Sequence, residues 1–217
     1  MSASAAFSVA LICLLANVEA KVSKACLKEM TGKLLTKLFE EKKIVPDKLP
    51  KAPLSRAEIV YNSGMSQDLG TELTPTQVKD QPTVVWPLDG HEDTLYTLIF
   101  IDFFAPEQGN QAMHQLVANI KGCDVAGGDE IVEYIGSGPA EGDPLHRYTY
   151  LIYKQQARID SSAYDHVPKT TADGRIAYKF TEFVNDNSLA DPIAGNFYMA
   201  QYDDYVPTLY QQMGYTP

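Results

Sequence analysis

The chain has 217 residues, 45% of them hydrophobic, with 18 Lys and Arg against 28 Asp and Glu for a formal net charge of −10. That length and apolar content suit one sizeable domain with its own core. The acidic balance, with its bases scattered, excludes an electrostatic grip on nucleic acid or an anionic membrane, so any phosphate must be held by a local pocket.

In chain order, the first element is a leader. Residues 5–16 read AAFSVALICLLA, too short for the roughly 20 residues of a membrane span. Val18 and Ala20 place small residues at −3 and −1 of a cleavage site after Ala20. The stretch before the apolar run, MSAS, carries no Lys or Arg. Residues 1–20 are read as a signal peptide, so the mature protein is expected to be secreted, with no integral membrane segment. Of the charged residues only Glu19 is lost, which brings the net charge to −9. Cys13 leaves with the leader, and Cys26 and Cys123 then have only each other as intrachain partners. A bridge between them would stabilise the fold by on the order of 4 to 5 kcal/mol in the chain-entropy model.

Val22, Cys26, Met30, Leu34 and Leu38 recur every four residues, and Leu27, Leu35 and Phe39 widen the stripe. This predicts an amphipathic helix that ends before Pro46 and packs on its own domain. Residues 21–54 are thus a helical extension and linker, and residues 55–217 the main domain. Ala57 to Tyr61 reads as a short strand. Thr74-Pro75-Thr76-Gln77 could form a capping box over a turn or a single helical turn.

Leu95 to Asp102, LYTLIFID, is nearly continuously apolar, as a strand buried on both faces should be. His114 to Ile120 and Glu130 to Ile135 are shorter strands separated by a turn at Gly127-Gly128. His146 to Gln155 alternates so that His146, Tyr148, Tyr150 and Ile152 share a face. Arg175 to Phe180 and Phe197 to Gln201 read as further strands. Asp203-Asp204 would cap a final helix of about three turns through Val206, Leu209, Tyr210 and Met213. The fold expected is mainly β, a sandwich flanked by an N-terminal and a short C-terminal helix.

Chemistry concentrates at predicted strand ends. His114 and His146 each open a strand and Asp102 closes one, and the ends of rigid strands are where a pocket can be built. The turn Gly136-Ser137-Gly138-Pro139 has backbone N–H groups that could point at an anion. Imidazole and backbone donors suit a phosphate or carboxylate oxygen. Each residue also has a plainer role: a strand-end His without a ligand, a terminal Asp that satisfies a turn, Tyr148 in the core. Asp102, His114 and His146 could also ligate zinc, which the spacing neither forbids nor favours. No nucleophile elbow, zinc-protease helix, P-loop or dinucleotide fingerprint is present.

LTPTQV (Leu73 to Val78), LYTL followed by Asp102-x-x-Ala105-Pro106, GSGP (Gly136 to Pro139), LHRY (Leu145 to Tyr148) and the closing QYDDYVPTLY (Gln201 to Tyr210) follow one another in order. Together they resemble the phosphatidylethanolamine-binding protein family over roughly Ser55 to Met213. The resemblance implies a β-sandwich with a small anion pocket for a phosphate or phospholipid headgroup, no cofactor and no catalysis. It implies Asp102, His114, Gly138, His146 and Tyr148 as pocket residues, with Leu209 and Tyr210 as wall.

Three departures stand out. Asp102-Phe103-Phe104-Ala105-Pro106 replaces the usual Asp-Pro-Asp-Ala-Pro, Pro106 to His114 is a few residues short and lacks the usual Trp and Tyr, and Ala140 follows Pro139. Two functions from different classes are therefore expected. One is a secreted carrier or scavenger of a phospholipid headgroup or small anionic ligand, tightening below about pH 6.5 as its histidines protonate. The other is a module for an extracellular protein partner, such as a protease, with Phe103 and Phe104 as an exposed hot spot. An enzyme is not expected.

Overall fold

Leu95–Asp102 forms the central strand, β4, and its side chains divide between two cores. Tyr96, Leu98 and Phe100 face one, while Ile99 and Ile101 face the other. The computed structural model describes residues 32–88, 91–104 and 111–215. Within them the strands are β1 (Ser55–Arg56), β2 (Glu58–Val60), β3 (Thr83–Val85), β4, β5 (Ala112–Lys121), β6 (Asp129–Val132), β7 (His146–Lys154) and β8 (Ala194–Ala200). The helices are α1 (32–41), α2 (Phe180–Asp186) and α3 (Val206–Gln212). Six strands make one mixed sheet in the order β1-β8-β7-β4-β5-β6, in which only β1 lies parallel to its neighbour.

Where the sequence led us to expect a sandwich, this sheet carries unequal cover. The two-stranded β2–β3 sheet packs on one face through Ile59, Val84 and Trp86. Leu35 and Phe39 of α1 and Phe180 and Phe183 of α2 pack on the other. Phe39 meets Phe197 of β8 edge-on at 5.0 Å. Burying each such side chain contributes roughly 1.5–3 kcal/mol. The described part of the N-terminal extension is therefore built into the core of the domain.

Arg147 explains how α1 is held. Its side chain donates to the Lys42 and Lys43 carbonyls just past the end of α1 and to the Phe103 carbonyl. A guanidinium satisfies carbonyls that a helix end leaves free and opposes the helix dipole.

Several expectations need correction. Arg175 to Phe180 is not a strand: Arg175 follows a tight turn, Ala177 adopts φ 53°, and helix α2 starts at Phe180. The left-handed residue breaks any ladder beyond an isolated Ala112–Ile176 bridge. The short strands β1 and β3 and helix α2 were not foreseen. Helix α3 has two turns rather than three, and Asp203 is not its cap. Asp203 instead accepts from the Tyr205 and Thr76 backbone N–H groups, tying the helix to the Thr74–Gln77 turn. In that turn Thr74 N–H donates to Gln77 Oε1 and Gln77 N–H to Thr74 Oγ1, the reciprocal box read from the sequence.

The leader, Val22, Cys26 with its expected bridge to Cys123, and Met30 lie outside the described residues. Cys123 is half-buried, with its Sγ 3.5 Å from the Trp86 carbonyl oxygen. Among the described residues no helix is long and apolar enough to cross a membrane.

Candidate functional site

Because β4 runs antiparallel to both β5 and β7, its last residue pairs with Ala112, the first of β5, and with Tyr148, the third of β7. Asp102, His114 and His146 therefore meet at one end of the sheet, with His114 the third residue of β5 rather than the first. Asp102, His114, Gly138, His146, Tyr148, Leu209 and Tyr210 all line one cavity of about 230 Å³. An outer groove of about 670 Å³ shares Ala140, Tyr210 and Tyr215 with it and continues over Tyr202, Val206 and Pro207.

The polar centre is Asp102 with His146. His146 Nδ1 lies 2.8 Å from Asp102 Oδ2, and both side chains are buried. Nε2 of the same ring lies 3.4 Å from Asp143 Oδ2 at the rim. Burial disfavours the charged ring, but the hydrogen bond and charge of Asp102, with Asp143, outweigh it and raise the His146 pKa. Asp102 Oδ1 is buried and has no close partner among the described residues, although the Tyr148 hydroxyl faces this carboxylate.

His114 behaves in the opposite way. Its Nδ1 lies 3.2 Å from the Ile135 carbonyl and 3.0 Å from the Gly136 carbonyl. Burial lowers its pKa to about 4 despite the nearby Asp102 charge. The two histidines thus do not protonate together: only His146 can supply a cation near neutral pH.

The GSGP turn closes the cavity. Gly138 N–H is not free, since it donates to the Tyr148 hydroxyl at 3.2 Å, and Tyr210 O–H donates to the Gly138 carbonyl at 3.0 Å. A Cβ at Gly138 would come within 2.8 Å of Leu209 Cδ2, so any side chain there would displace the end of this wall residue of α3. Burial and the Asp102 charge push the Tyr148 phenol well above its usual pKa, so it stays a neutral hydroxyl.

The Phe103-Phe104 pair is not an exposed surface. Phe103 is fully buried and packs edge-on against Phe180, because β4 continues its alternation into the helix-covered core. Phe104 lines the cavity and stacks on His146 with centroids 5.4 Å apart. It stands where the second acid was expected, so an aromatic plate replaces a charge. Residues 105–110 lie outside the described residues.

Two contributors were missed. Arg175, 1% exposed, lines the cavity but spends its guanidinium on the carbonyls of Thr171, Met113 and Pro168. No local signal distinguishes it from the first residue of a strand. Asp143 lies three residues before His146 in a turn, a spacing that could have flagged it. Among the described residues, no group of three His, Cys, Asp or Glu side chains is placed to hold a metal ion.

Comparison with known proteins gives this geometry a family. A family model described as phosphatidylethanolamine-binding protein matches residues 62–198. The chain belongs to the phosphatidylethanolamine-binding protein family. It is 29% identical to "Putative odorant-binding protein A5" from Drosophila melanogaster over 80% of this chain and 83% of that one. It is 34% identical to a 26 kDa secreted antigen from Toxocara canis over 73% of this chain and 61% of that one. The crystal structure of carboxypeptidase Y inhibitor complexed with the cognate proteinase shares the fold, with TM-score 0.66 at 21% identity over 79% of this chain and 97% of the other. Family membership and fold agree with the resemblance read from the LTPTQV, GSGP and LHRY segments.

Proposed function

We propose that this member of the phosphatidylethanolamine-binding protein family is a secreted binding protein that holds a phosphate-bearing or other anionic headgroup in the Asp102–His146 cavity. The observation that carries the reading is the His146 ring. It is held by Asp102 on one nitrogen and only loosely by Asp143, at 3.4 Å, on the other. Such an imidazolium can exchange a rim carboxylate for a ligand anion at little cost in geometry. The Tyr148 hydroxyl adds a donor beside it, and the aromatic groove over Tyr202 and Tyr215 has room for the ligand's apolar remainder.

Nothing in this reading requires turnover, and the protein acts by carrying or sequestering its ligand. The leader expected at residues 1–20 supports secretion, and the names of the odorant-binding and secreted-antigen relatives agree with an extracellular binder. The partner-module reading loses its anchor, since Phe103 is core and Phe104 faces the cavity.

Native mass spectrometry of protein secreted from eukaryotic cells tests the proposal. The expected result is a co-purifying phosphate-bearing lipid or small anion that is lost in His146→Ala. An empty protein that also takes up neither phosphate nor phosphoethanolamine would overturn it. Release of phosphate or alcohol from the captured ligand would contradict the non-catalytic part.

A further inference from the structure

The outer groove of about 670 Å³ lies beyond the Asp102–His146 centre and differs from it in character. Three tyrosines, Tyr202, Tyr210 and Tyr215, and one carboxylate, Glu141, line it, with no Lys, Arg or His among the described residues. The Tyr210 and Tyr215 rings stand nearly at right angles, with centroids 5.1 Å apart and an interplanar angle of 80°. Two such rings make a corner with a π face on either side. That corner is fixed from behind. The Tyr210 hydroxyl donates to the Gly138 carbonyl at 3.0 Å, and the Tyr215 N–H donates to the Tyr210 carbonyl at 2.9 Å.

The charge around these rings has one sign. Desolvation, then Tyr215 and Asp143, raise the Tyr210 pKa, and desolvation, then Glu141, raises that of Tyr202. The phenols therefore stay neutral, with two carboxylates close enough to act on them. Asp143 is engaged, accepting from the Ala140 N–H and lying 3.4 Å from His146 Nε2. Glu141 is exposed and has no hydrogen-bond or ion-pair partner among the described residues.

We propose that this groove is a second binding site, outside the Asp102–His146 cavity, for a quaternary ammonium group, held by the Tyr202, Tyr210 and Tyr215 rings with Glu141 as its counter-charge. An aromatic ring attracts a cation through its quadrupole, and the attraction is strongest where the cation gives up little water to reach it. A small inorganic ion keeps its hydration shell. A primary ammonium brings three donors, which ring faces and apolar side chains do not match. A quaternary ammonium brings none. Its methyl groups pack on Ala140, Val206 and Pro207, while the rings and Glu141 meet its charge. A neutral group of the same shape would gain the packing alone.

The groove joins the anion cavity along Ala140, Tyr210 and Tyr215. The cation can therefore come from a free quaternary amine or from a zwitterionic phosphate ester whose phosphate reaches His146. The site does not rest on the headgroup reading, since it needs only the cation.

Calorimetry on the secreted protein tests the assignment with choline, with its neutral isostere in which a tert-butyl group replaces the trimethylammonium, with inorganic phosphate and with phosphocholine. Choline is expected to bind at least about tenfold tighter than the isostere. Tyr215→Leu should abolish most of that preference, and Tyr215→Phe, which keeps the ring, should retain it. Glu141→Gln should weaken choline about threefold and the isostere less. Tyr215 and Glu141 are both exposed, so these variants leave the core intact. Choline no tighter than the isostere, or a preference unchanged in Tyr215→Leu, would overturn the cation site. Phosphocholine tighter than choline, with the gain lost in His146→Ala, would support the site and identify a phosphate ester as the source. Phosphocholine equal to choline would support it and identify a free amine. Choline binding without phosphate binding would overturn the headgroup reading and leave this site standing, and the reverse result would overturn this site alone.

Discussion

His114 and His146 sit within one cavity and yet titrate in opposite directions, because burial, with the Arg175 guanidinium, lowers the one, while two carboxylates outweigh burial and raise the other. Opposite pH dependences of stability follow. The folded His114 pKa, about 4, lies below the 6.5 of the unfolded chain. Between those values the unfolded state binds more protons, so His114 lowers stability as pH falls, by on the order of 3 kcal/mol across the window. Replacing it, as in His114→Gln, should flatten chemical-denaturation stability between pH 4.5 and 6.5. A profile as steep as that of the unaltered protein would refute the assignment. The folded His146 pKa is raised, so its contribution is fully present below 6.5 and is lost as pH rises through the folded value. Removing the ring leaves the Asp102 carboxylate buried without a partner. His146→Ala should therefore cost about 3 kcal/mol, and His146→Gln, which keeps a donor, clearly less. Ligand affinity should also fall as pH rises through the His146 pKa, with no inflection from His114 between pH 5 and 8.

At the scale of elements, Arg147 alternates with His146 and Tyr148 along β7, pointing away from the cavity to clamp α1 and the Phe103 carbonyl. One strand thus builds the site on one face and anchors the N-terminal helix on the other. Arg147→Ala should cost about 2–3 kcal/mol through the buried carbonyls it abandons. It should also raise hydrogen exchange across α1 more than across β4. Arg147→Lys should recover only part, because an ammonium cannot span three carbonyls with a planar fork. Exchange rising uniformly over the sheet would show that the clamp is not specific to α1.

For the whole molecule, the two cores share β4, and residues 35–49 belong to the same cluster as α2 and the sheet. Unfolding should therefore be a single cooperative transition, coincident by near- and far-ultraviolet circular dichroism. Deleting residues 32–49 should leave no folded remainder, whereas an autonomous β domain with a detachable extension would keep its own transition.

What was legible in the sequence was local and repetitive. The unbroken apolar run of β4, the alternation of β7 and the Thr74–Gln77 box each follow from backbone geometry acting within a few residues. The ordered motifs carried the family and the seven cavity residues. The tertiary structure decided the rest, because it depends on groups far apart in the chain. Arg175 became a buried hub only because carbonyls from Met113 and Pro168 converge on it. Phe103 was drawn into the core by the alternation of β4, and Phe104 into the cavity by the His146 ring. The two histidines, equivalent as letters, were separated by their surroundings: sequence sets an intrinsic pKa, whereas burial and neighbouring charge, which only folding assembles, set the working one.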